Sequence, residues 1–137
     1  MRLSSSLVRT AVGRGWRKRC PHCGRGLLFA GWVTHLPSCT VCGLVYERNP
    51  GDTWAFTILL DRLPIGLMLA LVYFGLFRTS ALAGSVAFVL LGAAFILSSP
   101  NRWGVGIALH YVSRVVWPDT GDPLPPAPAR FGEDELL

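Results

Sequence analysis

Cys20-Pro21-His22-Cys23-Gly24 and Cys39-Thr40-Val41-Cys42-Gly43 are the two stretches that decide how this chain is read. Each sets two cysteines across two residues and ends on a glycine, and fifteen residues separate Cys23 from Cys39. Two intervening residues let a tight turn aim both sulfurs at one point, and the glycine can take the positive φ that such a turn often needs. The overall spacing falls within the range of four-cysteine zinc sites. Four thiolates, from Cys20, Cys23, Cys39 and Cys42, complete a tetrahedral Zn²⁺ shell and leave no position for a catalytic water. The expected cofactor is therefore one structural zinc ion. A thioredoxin-type pair would need a βαβ setting, and haem attachment would need a histidine where Gly24 stands. His22 and His35 read as ordinary solvated side chains rather than ligands.

Working outward, residues 16–47 are rich in Cys, Gly and Pro, with short β-prone pieces at Trp32-Val33-Thr34 and Leu44-Val45-Tyr46. This composition predicts a zinc ribbon of short β-strands and knuckles. Some thirty residues cannot build a stable apolar core unaided, so the metal should supply the folding energy. Phe29, Trp32 and Tyr46 are candidates to cover the site. Upstream, residues 1–15 are basic and serine-rich with weak apolar periodicity, and read as a tail. Arg14, Arg17, Lys18 and Arg19 make a basic run beside the first knuckle. Anionic headgroups are the expected partner of that run in preference to nucleic acid, because a membrane segment follows the ribbon so closely.

Downstream, Asn49-Pro50-Gly51-Asp52 is a turn within a linker over 48–53, and Asp52 or Thr53 can cap a helix that starts near Trp54. Of the 137 residues, 51% are hydrophobic and only 15% charged, against about 25% charged in ordinary soluble domains. The deficit is concentrated in two apolar stretches, 54–77 and 81–99, joined by Arg78-Thr79-Ser80. A span needs roughly 20 apolar residues, and lipid offers the backbone no hydrogen bonds. The expected form is an α-helical transmembrane hairpin over 54–99. Residues 100–117 repeat Trp103, Ile107, Tyr111 and Val115 at intervals of four, which predicts an amphipathic interfacial helix. Residues 118–137 are Pro-rich and acidic, and read as a disordered tail.

Asp61 and Arg62 interrupt the first apolar stretch. Neighbours in a helix point to different sides, so these two do not simply pair. Arg62 can snorkel to the interface, whereas Asp61 needs Arg102, His110, another subunit or a proton. Both are candidate partner contacts, the alternative being a wetted turn at the membrane surface. The basic residues flank the hairpin, with Arg78 alone at its tip, so both termini and the ribbon are expected on the cytoplasmic side. Thiols are reduced there, which favours metal over disulfides.

Taken together, the two knuckles, Gly51-Asp52 and two apolar spans ending in a proline before Ile107-Ala108-Leu109-His110-Tyr111 resemble the bacterial domain-of-unknown-function family 983 over residues 16–117. This chain departs from that pattern in reading Thr53-Trp54-Ala55 after Gly-Asp, where members continue Gly-Pro-Ala, and in carrying Asp61-Arg62 where apolar residues are common. The resemblance implies a two-pass protein of the bacterial inner membrane and, from gene neighbourhoods in some bacteria, a role near cytochrome oxidase assembly. The functional expectation is a non-enzymatic accessory or assembly subunit of a membrane-protein complex. No nucleophile–base pair, open metal position or phosphate loop is legible. The competing expectation is a membrane-tethered ribbon that binds nucleic acid or a regulatory protein.

Overall fold

The computed structural model describes residues 5–48, 51–75, 80–118, 121 and 124–126. Among these residues are four helices: α1 (Ser5–Trp16), α2 (Trp54–Phe74), α3 (Ala81–Leu97) and α4 (Ser99–Val116). The tail expected at 1–15 is thus a helix from Ser5 onward. Its buried residues are Leu7, Ala11 and Gly15, a stripe only one residue wide at intervals of four. So narrow a stripe hardly registers as apolar periodicity, but it suffices where a helix meets a single neighbour. That neighbour is α4. At the crossing the two backbones touch: a Cβ on Gly15 would lie 2.3 Å from the Gly104 carbonyl oxygen, and one on Gly104 would lie 2.1 Å from the Gly15 oxygen.

This contact yields the first prediction. Gly104→Ala should force the helices apart and destabilise the head by about 1–3 kcal/mol, the usual cost of overpacking. Gly13→Ala, which enters open space on the same helix, should be neutral or mildly stabilising. Denaturant titration followed by tryptophan fluorescence compares the two. A Gly104→Ala protein as stable as wild type would show that the helices do not meet at this point.

α1 stops on a Schellman arrangement. The Arg19 amide donates to the Arg14 carbonyl (2.9 Å) and the Lys18 amide to the Gly15 carbonyl (2.8 Å), with Lys18 at φ 59° as the left-handed residue. The chain then enters the cysteine-rich segment. The short strands expected there do not form among the described residues. Three isolated antiparallel bridges take their place, Arg19 with Leu27, Phe29 with His35, and Ser38 with Val45. The loops between cysteines are too short to build a ladder, so single bridges and side chains hold them. The core is shared rather than local: Ala11 of α1, Leu28, Phe29, Leu44 and Tyr46 of the loops, and Ile107, Ala108, Tyr111 and Val112 of α4 form one buried cluster. The head solves its size problem by borrowing two helices.

This arrangement corrects the reading of α4 as a helix with its apolar side in lipid. Ile107 and Tyr111 are buried, and Trp103 and Val115 pack on the same cluster, so the four-residue repeat faces the head. The polar Thr57 hydroxyl of α2 sits against Gly106, and Phe56 lies 6.5 Å from His110, ring to ring. The first two turns of α2 are therefore part of the head.

α2 begins at Trp54 with Thr53 as its cap residue, as the sequence suggests, but no capping hydrogen bond forms from that side chain. The Thr53 hydroxyl instead donates to Glu47 (3.1 Å). α2 has no buried residue and is long and apolar enough to cross a membrane. α3 ends at Leu97, two residues short of the expected 99, and has 17 residues. It reaches spanning length only together with α4, from which it is bent by 47°. The expectation of two matching spans thus reduces to one helix that qualifies alone and one bent pair. Pro100 explains the bend, since it lacks an amide and its ring crowds the carbonyl four residues back. The ends of the expected segments at 1–4, 49–50 and 77, the tip residue Arg78 and most of the tail at 118–137 lie outside the described residues.

Candidate metal centre

The two knuckles repeat one local design. The Gly24 amide donates to the Cys20 carbonyl (2.8 Å) and the Gly43 amide to the Cys39 carbonyl (2.9 Å), with φ of 70° and 75° at the glycines. Each turn presents its two sulfurs on one side, and the four sulfurs of Cys20, Cys23, Cys39 and Cys42 all lie within 4.8 Å of one another. The pairs Cys20/Cys42 and Cys23/Cys39 are 3.8 and 3.7 Å apart. Metal–sulfur bonds of 2.3 Å in a tetrahedron put the sulfurs about 3.8 Å apart, so the cluster can hold one metal ion. None of the four is in a disulfide. A tetrahedral four-sulfur set suits zinc or iron. Gly26 passes so close that a Cβ there would lie 2.3 Å from the Cys39 sulfur, and only glycine leaves the cluster its room.

The thiols are not equivalent. Burial pushes Cys20 up to about 11. At Cys39 burial acts the same way, but the amides of Cys42 and Val41 and the hydroxyl of Tyr46 outweigh it and bring the thiol down to about 6. Cys42 is raised, chiefly by burial. A bound cation must therefore displace protons from some of the sulfurs, and binding is proton-linked.

Around this cluster the structure adds residues that sequence reasoning passed over. His22 is not a solvated side chain. It is 4% exposed, with Nδ1 3.0 Å from the Tyr111 hydroxyl and Nε2 3.1 Å from the Pro126 carbonyl. Only a protonated Nε2 can serve a carbonyl, so Nδ1 accepts from Tyr111. Burial holds the ring below its ordinary pKa, consistent with this neutral form. Both nitrogens are in use, which removes His22 as a fifth ligand. His35 is also engaged, at 3.1 Å from Glu47. Burial works to raise the Glu47 carboxyl, but the Thr53 and Gly51 amides, the Thr53 hydroxyl and His35 together hold it low. Glu47 thereby ties the ribbon's end to the start of α2. Of the three aromatic candidates, Phe29 and Tyr46 are buried, whereas Trp32 is 57% exposed.

No protein-family model matches this chain, and no curated protein or solved structure matches it either.

The basic run divides by geometry. Arg14 reaches from the last turn of α1 to the carbonyls of Pro21 (3.0 Å) and His22 (2.7 Å), and so clamps the first knuckle. Arg19 donates to the Arg25 carbonyl (3.0 Å). Arg17 and Lys18 are exposed. Asp61, far from the cysteines, meets Arg102 Nε at 2.8 Å. Arg102 is one of the partners its position suggests, brought over by the bend at Ser98. Arg62 is exposed. The tail touches the head as well: Leu124 packs on the core and the Gly121 carbonyl accepts from Arg48. A separation of 89 positions between His22 and Tyr111 gives a sequence reader no signal for that bond; the only hint was the tyrosine in the four-residue repeat.

Proposed function

We propose that this protein is a non-enzymatic accessory or assembly subunit, in which a head built on one structural zinc ion docks onto a membrane complex. The observation that carries the reading is the closed four-sulfur cluster in a head whose core includes α4, itself continuous through a single bend with the apolar helix α3. Four sulfurs leave no open coordination position, so a metal there organises a surface and does not activate water. Zinc is the proposed ion because it forms such a shell without redox chemistry. The two-pass arrangement in a bacterial inner membrane, with the head and both termini cytoplasmic, is supported by the basic flanks of the hairpin. The resemblance to family 983 favours a respiratory complex.

The basic run bears on the alternative of a nucleic-acid ribbon. Arg14 and Arg19 direct their guanidinium groups to backbone carbonyls; Arg19 is itself exposed, and Arg17 and Lys18 are the exposed pair whose side chains make no such contact. An exposed pair suits a lipid surface at roughly 1 kcal/mol per charge. Purification of tagged protein from gently solubilised membranes is the test. One zinc per chain and a membrane complex recovered in fixed proportion are expected. Sequence-selective, sub-micromolar nucleic-acid binding at physiological salt would replace the accessory-subunit reading with the nucleic-acid one.

A further inference from the structure

We propose that the groove between α2 and α3 holds one acyl chain of a membrane glycerolipid, with the ester carbonyl of that chain accepting hydrogen bonds from Arg102. The groove has a volume of about 240 Å³, with Leu67 and Met68 on one wall, Leu91, Ala94 and Phe95 on the other, and Arg102 at its head end. That volume lies below the roughly 300–1,000 Å³ of pockets for bulkier ligands, and takes part of a single chain lying lengthwise.

Arg102 supplies the recognition. A guanidinium has five N–H donors. Nε donates to Asp61 (2.8 Å), and Nη1 donates to the Phe95 carbonyl (2.6 Å) and to the Ser98 hydroxyl. Phe95 also lies under the guanidinium, with its centroid 4.0 Å away. The two donors on Nη2 have no protein acceptor among the described residues, and Nη2 keeps accessible surface, since it is not one of the enclosed atoms that lack a partner. Donors left unpaired beside an apolar groove are costly, and an acceptor from the ligand would relieve that cost.

The charge of the site narrows the class. Asp61 already neutralises Arg102, so a carboxylate or phosphate in the same place would leave an uncompensated negative charge in a poor dielectric. An uncharged carbonyl oxygen meets the need. The level is also right for an ester. Above the pair, α2 packs on α4; beyond it, α2 runs on for about 20 Å at 1.5 Å per residue. α3, with 17 residues, is about 25 Å long by the same rise, so Arg102 lies near one edge of a hydrocarbon layer about 30 Å thick. Ester carbonyls of glycerolipids occupy that edge. The inference rests on the membrane placement of the hairpin proposed above, but not on the accessory-subunit role.

The test uses full-length, delipidated protein in detergent. Native mass spectrometry reads the retention of added dioleoyl phosphatidylcholine and of its diether analogue, which lacks ester carbonyls. One diester lipid per chain is expected, with the diether analogue held at least roughly fivefold more weakly, the loss of about one hydrogen bond. Ala94→Trp fills the groove without touching Arg102. It should lower retention at least tenfold while metal content and helicity stay at wild-type levels. Equal retention of the two lipids, undiminished retention by Ala94→Trp, or a second protein copy in place of lipid would each overturn the site. Wild-type protein that partitions into membranes yet keeps no lipid sinks the groove alone. Protein that does not partition into membranes sinks the anchoring reading with it.

Discussion

Removal of the metal from the purified protein with a strong chelator is expected to unfold the segment between Arg19 and Tyr46 and to loosen α1 from α4, while α2 stays helical. Structural zinc contributes about 10–16 kcal/mol in small peptides near neutral pH, which is comparable to the whole stability of a typical domain, about 5–15 kcal/mol. Nothing else in the loops approaches that figure, since among the described residues their backbone is joined by the knuckle turns and three isolated bridges. The effect should not stop at the cysteines, because Leu28, Phe29, Leu44 and Tyr46 share one core with Ala11, Ile107 and Tyr111. Helix α2 makes its own backbone bonds and needs no such support beyond its first turns. Hydrogen exchange read segment by segment, with metal analysis before and after, measures this. One zinc per native chain is expected, and Cys39→Ser should reproduce the chelated state. Unchanged protection across the loops after the metal has gone would mean that the shared core alone holds the head. An iron–sulfur absorption spectrum in the native protein would overturn the choice of zinc.

The second large effect concerns Asp61 and Arg102. Arg102→Met removes the cation, leaves the Asp61 carboxylate uncompensated and frees the Phe95 carbonyl and Ser98 hydroxyl at the bend. Loss of one partner of a buried pair costs about 3–5 kcal/mol. Asp61 is about one-third exposed (31%), so the lower end of that range is expected. Asp61→Asn keeps the size and an acceptor oxygen, and should cost less. The double variant Asp61→Leu, Arg102→Met should regain most of the loss, because two apolar side chains have no charge to desolvate. Denaturation in micelles, followed by helix content, gives the cycle. If Arg102→Met alone proves harmless, the pair is wetted and does not staple the bend. The same variants speak to partner binding. A carboxylate engaged within the chain predicts that Asp61→Asn recovers its membrane complex as wild type does at equal folded amounts. A selective loss of recovery would show that Asp61 faces a partner after all.

Local chemistry was legible from residue order alone. The spacing of Cys20, Cys23, Cys39 and Cys42 identifies the sulfur cluster, because each knuckle is closed by bonds between neighbours in the chain and a following glycine. The start of α2 at Trp54 and the apolar runs in α2 and α3 are equally local, being set by composition and turn residues. What the order could not show depends on which surfaces meet. A stripe of Leu7, Ala11 and Gly15 is too narrow to announce a helix until α4 lies against it. The repeat of Trp103, Ile107, Tyr111 and Val115 is apolar on one side whether it faces lipid or protein, and only packing chose the protein. Asp61 stood out as a charge in an apolar stretch and Arg102 was one of its possible partners, but their pairing required the bend before Pro100. Arg14 and His22 looked like surface side chains beside the first knuckle. Burial by α4 and by residues 124–126 turned them into the contacts that hold that knuckle in place, because a polar group enclosed by distant segments must find its hydrogen bonds there.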